Sequence, residues 1–447
     1  MGTVVTVVLS VYFFIIAYRL QFAYFFFVFL IPFLPKYIGF GVGSEGFSLS
    51  LERILLTILF MAAALLFTQH SKHMVKRILL VYHQNKMLVN LLLLLFVFKV
   101  FSLLLNSGEL SLYVMLFNDF LFSIFIFILT ILLIDTEEAI HHLARIFFYS
   151  YTVVLILVIV ETVVKFPLLS IFASGQMELS RDFTESFYRG GRYRANGSFV
   201  SPIMLGEYLV MLFPLIIAYI KRRQHSLTLK IIYSLLFLYA IYSTGSRSAL
   251  LMSVALVYIY FILILYRGGR FPRYIANLIN LLVVILVAYI VFNYISNLIM
   301  HFTGRFDKIT DEAVRSSTSR ALQYIRVFDK ISEAPLFGFG RTRNFTDLLG
   351  SAIDNYYFWL ALEVGIVGIF IYLAFLYSLV KTAFNQYKKP FRNYYLLPLL
   401  ISVLISILFQ FLMANPANHI FLYIFVGLIS VMKVLQNDNK NNNEVKH

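Results

Sequence analysis

The sequence predicts an all-α fold, a polytopic transmembrane bundle of about 12–13 spans, because a bilayer-crossing helix needs about 20 apolar residues and such runs recur from end to end. Composition is the second observation: 60% of residues are hydrophobic and 13% charged, roughly half the charged share of about 25% typical of soluble domains. Mean hydropathy is +0.83. The third is the pattern within the runs. Residues 91–97 (LLLLLFV) are apolar without alternation. That fits a helix and not a barrel strand, the other structure whose backbone is satisfied in lipid.

In order, the apolar runs lie near 3–17, 21–35, 49–68, 88–105, 112–134, 146–168, 202–220, 229–243, 247–265, 275–298, 354–380, 394–413 and 417–434. The first two form either a tight hairpin around Arg19 or one long tilted helix. The stretch Val4–Ala17 has no basic n-region and no small-residue cleavage site, so it reads as a retained span. No fixed-period repeat is visible. Residues 1–435 therefore read as a single transmembrane domain, and 436–447 as a polar, disordered cytoplasmic tail.

Orientation follows from the short loops, where Lys and Arg mark the cytoplasmic side. One alternating set is basic: Lys72, Lys76, Arg77 and Lys86; Lys221, Arg222, Arg223 and Lys230; Arg267, Arg270 and Arg273; Lys381, Lys388, Lys389 and Arg392. The intervening loops, at 106–109, 243–246 and 415–418, carry no Lys or Arg save Arg247 at the edge of the second. This puts the C-terminus inside and the long loops 169–201 and 299–353 outside. Both long loops are rich in arginine. Long loops translocate largely regardless of charge, so solvated surface is one reading. An anion site is the other, since arginine suits bidentate phosphate recognition. The net charge of +15 needs no nucleic acid, because basic loops beside anionic lipid explain much of it. Within the second loop, Leu322, Ile325, Phe328 and Ile331 recur at helical spacing up to Ala334-Pro335. They predict an amphipathic helix on the outer membrane surface, with Arg320, Arg326 and Lys330 near its polar side.

Several residues invite chemistry. Arg247 follows Thr244-Gly245-Ser246 at a turn between two spans, where an arginine either snorkels or meets a ligand. Asp354-Asn355 opens the span after the second loop. Asp354 is either the N-cap of that helix or a carboxylate able to take a proton from a substrate hydroxyl. Glu363, Gly365 and Gly368 lie further along, and the glycines suggest close helix packing. Glu363 falls about 900° around the helix from Asp354, on the opposite side. There are no cysteines and nine histidines; neither these nor the acidic residues show metal-ligand spacing, so no metal and no cofactor are expected. The sequons at Asn196 and Asn344 read as chance matches.

These residues carry a resemblance. The order Arg194-Ala-Asn-Gly197-Ser-Phe199, Pro202…Gly206, Thr244-Gly-Ser-Arg247, Arg320 in a basic loop, Pro335…Gly338…Gly340 and Asp354-Asn355-Tyr356…Glu363-Val-Gly365…Gly368 resembles the bacterial O-antigen ligase/polymerase superfamily. It spans roughly 190–380. The resemblance implies metal-independent transfer of a glycan from undecaprenyl diphosphate to an acceptor hydroxyl, outside the inner membrane. Arg247 and Arg320 match the family's two arginines and would engage the diphosphate. Asp354 stands where the ligases carry histidine before asparagine, which favours a polymerase of O-antigen or capsular repeat units. Asp354, Arg247 and Arg320 are thus the candidate catalytic residues; Arg194, Arg326, Arg341 and Asn355 are the candidate substrate-binding residues. The implied partners are an undecaprenyl-diphosphate-linked oligosaccharide, membrane lipid and a chain-length regulator protein. A ligase or protein O-oligosaccharyltransferase of the same superfamily is the nearest alternative. A polysaccharide-lipid flippase is the alternative from another class, although transporters favour internal repeats and midplane charges.

Overall fold

The computed structural model describes residues 8–13, 15–16, 19–34, 39–42, 47–106, 110–169, 187–189, 192–199, 201–224, 227–268, 312–340, 353, 355–388, 393–413 and 419–444. The described helices are α1 (Leu20–Leu30), α2 (Leu51–Gln84), α3 (Lys86–Asn106), α4 (Leu110–Phe120), α5 (Ile126–Leu133), α6 (Glu137–Val164), α7 (Pro202–Arg222) and α8 (Leu227–Thr244). They continue with α9 (Arg247–Gly268), α10 (Glu312–Glu333), α11 (Tyr356–Lys388), α12 (Leu396–Phe409) and α13 (His419–Glu444). A π-helical turn, Leu121–Phe125, joins α4 and α5 into one span. Among the described residues eight helices are long and apolar enough to cross a membrane, and three further apolar helices are shorter. The protein is therefore an all-α, multi-pass membrane bundle. The run near 275–298 lies outside the described residues.

At the centre are α7 and α13, which bury most of their surface, whereas α2, α3 and α8 form the rim. Rim residues such as Leu93, Leu94, Val97 and Leu104 are exposed, as befits side chains whose solvent is lipid. Two antiparallel hairpins accompany the helices: β1 (Gly39–Val42) with β2 (Phe47–Ser50), and β3 (Tyr188–Arg189) with β4 (Arg192–Tyr193).

The N-terminal ambiguity is resolved as a hairpin. Arg19 is extended (φ −163°, ψ 126°), and the Tyr12 ring lies 6.3 Å from that of Phe26. A straight helix would hold those residues about 21 Å apart. Two expectations need amendment. The basic segment after the third run is not a loop: α2 continues for 34 residues, kinked at His70, and turns into α3 at Asn85. Nor does order end at 435. Helix α13 runs to Glu444, and the Asn437 amide donates to Gln84 Oε1 at 3.1 Å.

The basic end of the bundle is knit by its own cations. Arg77 donates to the Ile131 and Ile134 carbonyls, the latter at 2.7 Å. Lys433 donates to the Gln84 carbonyl, and Arg222 lies 5.4 Å above the Tyr395 ring. Each cation meets the negative end of a helix or an aromatic face, as the macrodipole favours. The opposite end gathers the starts of α7, α9, α11 and α13.

Candidate functional site

At that opposite end the turn between α8 and α9 is only two residues long. Gly245 ends α8 with φ +56°, a left-handed conformation that glycine adopts at little cost. Ser246 then caps α9, its Oγ accepting from the Ala249 N–H at 3.3 Å. Arg247 is thereby the first residue of α9 and is exposed. A cation at a helix N-terminus faces the positive end of the dipole, so this arginine works against local stability.

A second arginine reaches the same turn. Arg194 Nε donates to the Thr244 carbonyl at 3.0 Å, and its side chain packs so closely that a Cβ on Gly245 would lie 3.1 Å from Arg194 Cγ. Arg192 joins them, donating to the Tyr242 carbonyl at 3.0 Å with its guanidinium 3.8 Å above the Tyr242 ring. The segment carrying these arginines is pinned from α6. Buried Glu161 accepts from the Asn196 and Gly197 N–H groups at 3.1 and 2.6 Å, and Asn196 Nδ2 donates to the Phe199 carbonyl at 2.6 Å. Asn196 is fully buried, which denies it to a glycosylating enzyme and agrees with the chance reading of that sequon. Gly206 completes the corner: a Cβ there would meet the Ala249 Cβ at 2.4 Å, so only glycine lets α7 and α9 cross this tightly.

The second cluster surrounds the start of α11. Asn355 caps it, Oδ1 accepting from the Tyr357 and Phe358 N–H groups at 2.9 and 3.3 Å. The cap that the sequence offered to Asp354 is thus made by its neighbour. Helix α10 ends at Glu333, as its pattern predicts, and packs on α11 through Val327, Ile331 and Leu362. Its Tyr324 and Phe328 rings meet Phe358 edge-on at 4.9 and 5.4 Å. Part of the apolar face expected to rest on lipid is therefore spent on α11.

The segment Pro335–Gly340 then straps across a break in α11 at Gly365 (φ +69°, ψ −173°). The break leaves carbonyls and an N–H without helical partners, and the strap supplies them. Phe339 N–H donates to the Leu362 carbonyl at 2.7 Å, Gly340 N–H to the Glu363 carbonyl at 3.0 Å, and Ile366 N–H to the Pro335 carbonyl at 2.8 Å. A Cβ on Gly365 would sit 2.3 Å from the Leu336 carbonyl oxygen. The two clusters meet across α13: Phe199 packs on Tyr208 and Tyr208 on Phe421. His419, at the start of α13, lies 4.5 Å from the Tyr356 ring.

Of the sequence-predicted residues, Arg194 and Arg247 are brought together. Arg326 is exposed on α10, in the second cluster, and Asn355 is there as a buried cap. Arg320 belongs to α10, but its side chain, like Asp354 and Arg341, lies outside the described residues. Arg192 was counted in the basic loop 169–201 but not among the candidate substrate-binding residues; its signal was its place two residues before Arg194. Sequence reasoning passed over Lys99 and Asp119, charged residues inside apolar spans. Lys99 Nζ lies 3.2 Å from Asp119 and 3.5 Å from Glu363. Intramembrane charges are rare enough to count as candidates by default. Among the described residues no three His, Asp or Glu side chains gather as a metal site.

No curated protein matches the chain. Residues 232–373, which run from α8 through the arginine turn and the strap into α11, match the family model described as O-antigen ligase. Over these residues, and not over the rest of the chain, the protein is similar to the O-antigen ligase/polymerase superfamily.

Proposed function

We propose that the protein polymerises undecaprenyl-diphosphate-linked oligosaccharide repeat units at the outer face of a bacterial inner membrane, by metal-independent glycosyl transfer. The observation that carries the reading is the arginine turn. Arg247 stands exposed at the positive end of α9 beside Arg192 and Arg194, a concentration of positive charge that a diphosphate would relieve. The acceptor hydroxyl oxygen attacks the anomeric carbon, the bond from that carbon to the phosphate oxygen breaks, and the lipid diphosphate leaves with the electron pair. Arg247 and Arg320 stabilise the charge that develops on it. Asp354 takes the proton of the attacking hydroxyl. Short basic loops mark the cytoplasmic side, and both clusters lie at the other end of the bundle, which supports a site at the outer face.

Ligation of a finished glycan onto a different acceptor is the second reading, favoured by the description of the matching family as O-antigen ligase. Deleting the gene separates the two. Loss of a polymerase leaves surface glycan of single repeat units. Loss of a ligase leaves long chains still attached to the lipid carrier. An unchanged glycan profile would remove both readings.

A further inference from the structure

Three side chains on one face of α3 converge on the break in α11. Lys99 holds the Glu363 carboxylate at 3.5 Å and the Asp119 carboxylate at 3.2 Å. One turn on, the Ser102 hydroxyl is shared between the carbonyls of Phe337, at 2.6 Å, and Glu363, at 2.8 Å. A further turn on, Asn106 Nδ2 donates to the Gly338 carbonyl at 3.2 Å. The stripe thus touches both partners of the break: the strap and the helix it crosses. Asp119 itself stands just before the π-helical turn Leu121–Phe125, and such turns concentrate at functional sites.

Apolar side chains would hold α3 against α11 at least as well, because buried ion pairs stabilise poorly once desolvation is counted. What charges and directed hydrogen bonds can add is register. All three stripe residues lie outside the matched residues 232–373, so the family portion borrows this support from the first half of the chain.

We propose that Lys99, Ser102 and Asn106 form a positioning clamp for the glycosyl-transfer site, with Lys99 setting the height of the strap and of the N-terminal half of α11 through Glu363. The clamp rests on the function proposed above. Through the strap it fixes where α10 and the capped start of α11, next in sequence to Asp354, stand relative to the acceptor.

The test uses the full chain in lipid nanodiscs, with lipid-linked oligosaccharide extracted from the host's own membranes as donor. Lys99→Met is expected to fold and to bind donor with unchanged KM while kcat falls about 100-fold, the effect of a displacement of about 1 Å at a reacting group. Lys99→Arg should restore most of the rate. Ser102→Ala, a milder change, should lower kcat in the same way if Lys99→Met fails to accumulate. Wild-type kcat in Lys99→Met, or in Ser102→Ala where that is the variant left, overturns the clamp, as does a loss that appears in KM alone. A second readout needs no substrate. In this cysteine-free chain, Phe339→Cys reports strap docking by its reactivity towards a thiol reagent. That reactivity should rise when Lys99→Met or Ser102→Ala is added, and unchanged reactivity overturns the clamp. If the wild-type protein turns over no donor, the functional reading falls while the thiol readout still decides the clamp.

Discussion

Asn355 caps α11, and the proposed function gives its neighbour Asp354 the other role, that of proton acceptor. Aspartate and asparagine are equally good N-caps, so the sequence could not say which of them starts α11. The choice is made by a long-range contact, the Tyr356 N–H donating to the Gln410 carbonyl at 2.8 Å, which sets where the chain enters the helix. Two contrasting outcomes follow. Asn355→Ala should lower stability by about 1 kcal/mol, the usual worth of a cap, read as an earlier thermal unfolding midpoint. Asp354→Asn should leave that midpoint in place and retain bound donor, yet strongly impair polymer ladders, because it removes only the carboxylate proposed to accept the proton. Wild-type ladders from Asp354→Asn would withdraw its assignment. At the arginine turn, Arg247→Lys keeps the charge but loses the fork geometry. Polymer length should collapse with membrane levels unchanged, as measured by gel and immunoblot.

Among the elements, α11 departs furthest from what its sequence suggests. Read as periodicity, its residues run apolar straight through Glu363 and Gly368, and the glycines suggest a packing face. Hydropathy cannot register a strap that arrives from another part of the chain, so the break at Gly365 was invisible. Gly365→Ala should be severe, since it combines strained backbone, costing about 1–3 kcal/mol, with a clash against the Leu336 carbonyl. Gly368→Ala also clashes, 2.2 Å from Val364 Cγ2 and 2.5 Å from its Cβ, but without a strained φ or a backbone carbonyl in the way, so it should be the less severe of the two. Fluorescence-detected size exclusion after heating would rank them; equal tolerance would mean that the break is not required. The amphipathic α10, by contrast, was legible at its last residue, because its period and the Ala334-Pro335 stop agreed; its start was not, since the hydroxyls of Ser316–Ser319 read as caps while the helix begins at Glu312. Its partner was not legible, since Phe328 could as well have met lipid as Phe358. The 34-residue α2 was read as a span plus a basic loop because charge was taken as an end to the helix.

For the whole molecule, the bundle and its two unlike ends were readable from composition and loop charge alone. Convergence was not. That Arg194 would reach Thr244, or Lys99 reach Glu363, depends on how helices distant in sequence lie side by side. Sidedness has its own check: single cysteines at Ser174 and Ser316 should react with an impermeant thiol reagent in intact spheroplasts. Labelling only after lysis would invert the orientation. The most direct measurement is glycosyl transfer by the purified protein, reconstituted in lipid with a lipid-linked repeat unit and excess EDTA. Elongated lipid-linked glycan, with one lipid diphosphate released per transfer, is the expected result. Absence of transfer, or transfer restored only by magnesium or manganese, would contradict a metal-independent polymerase.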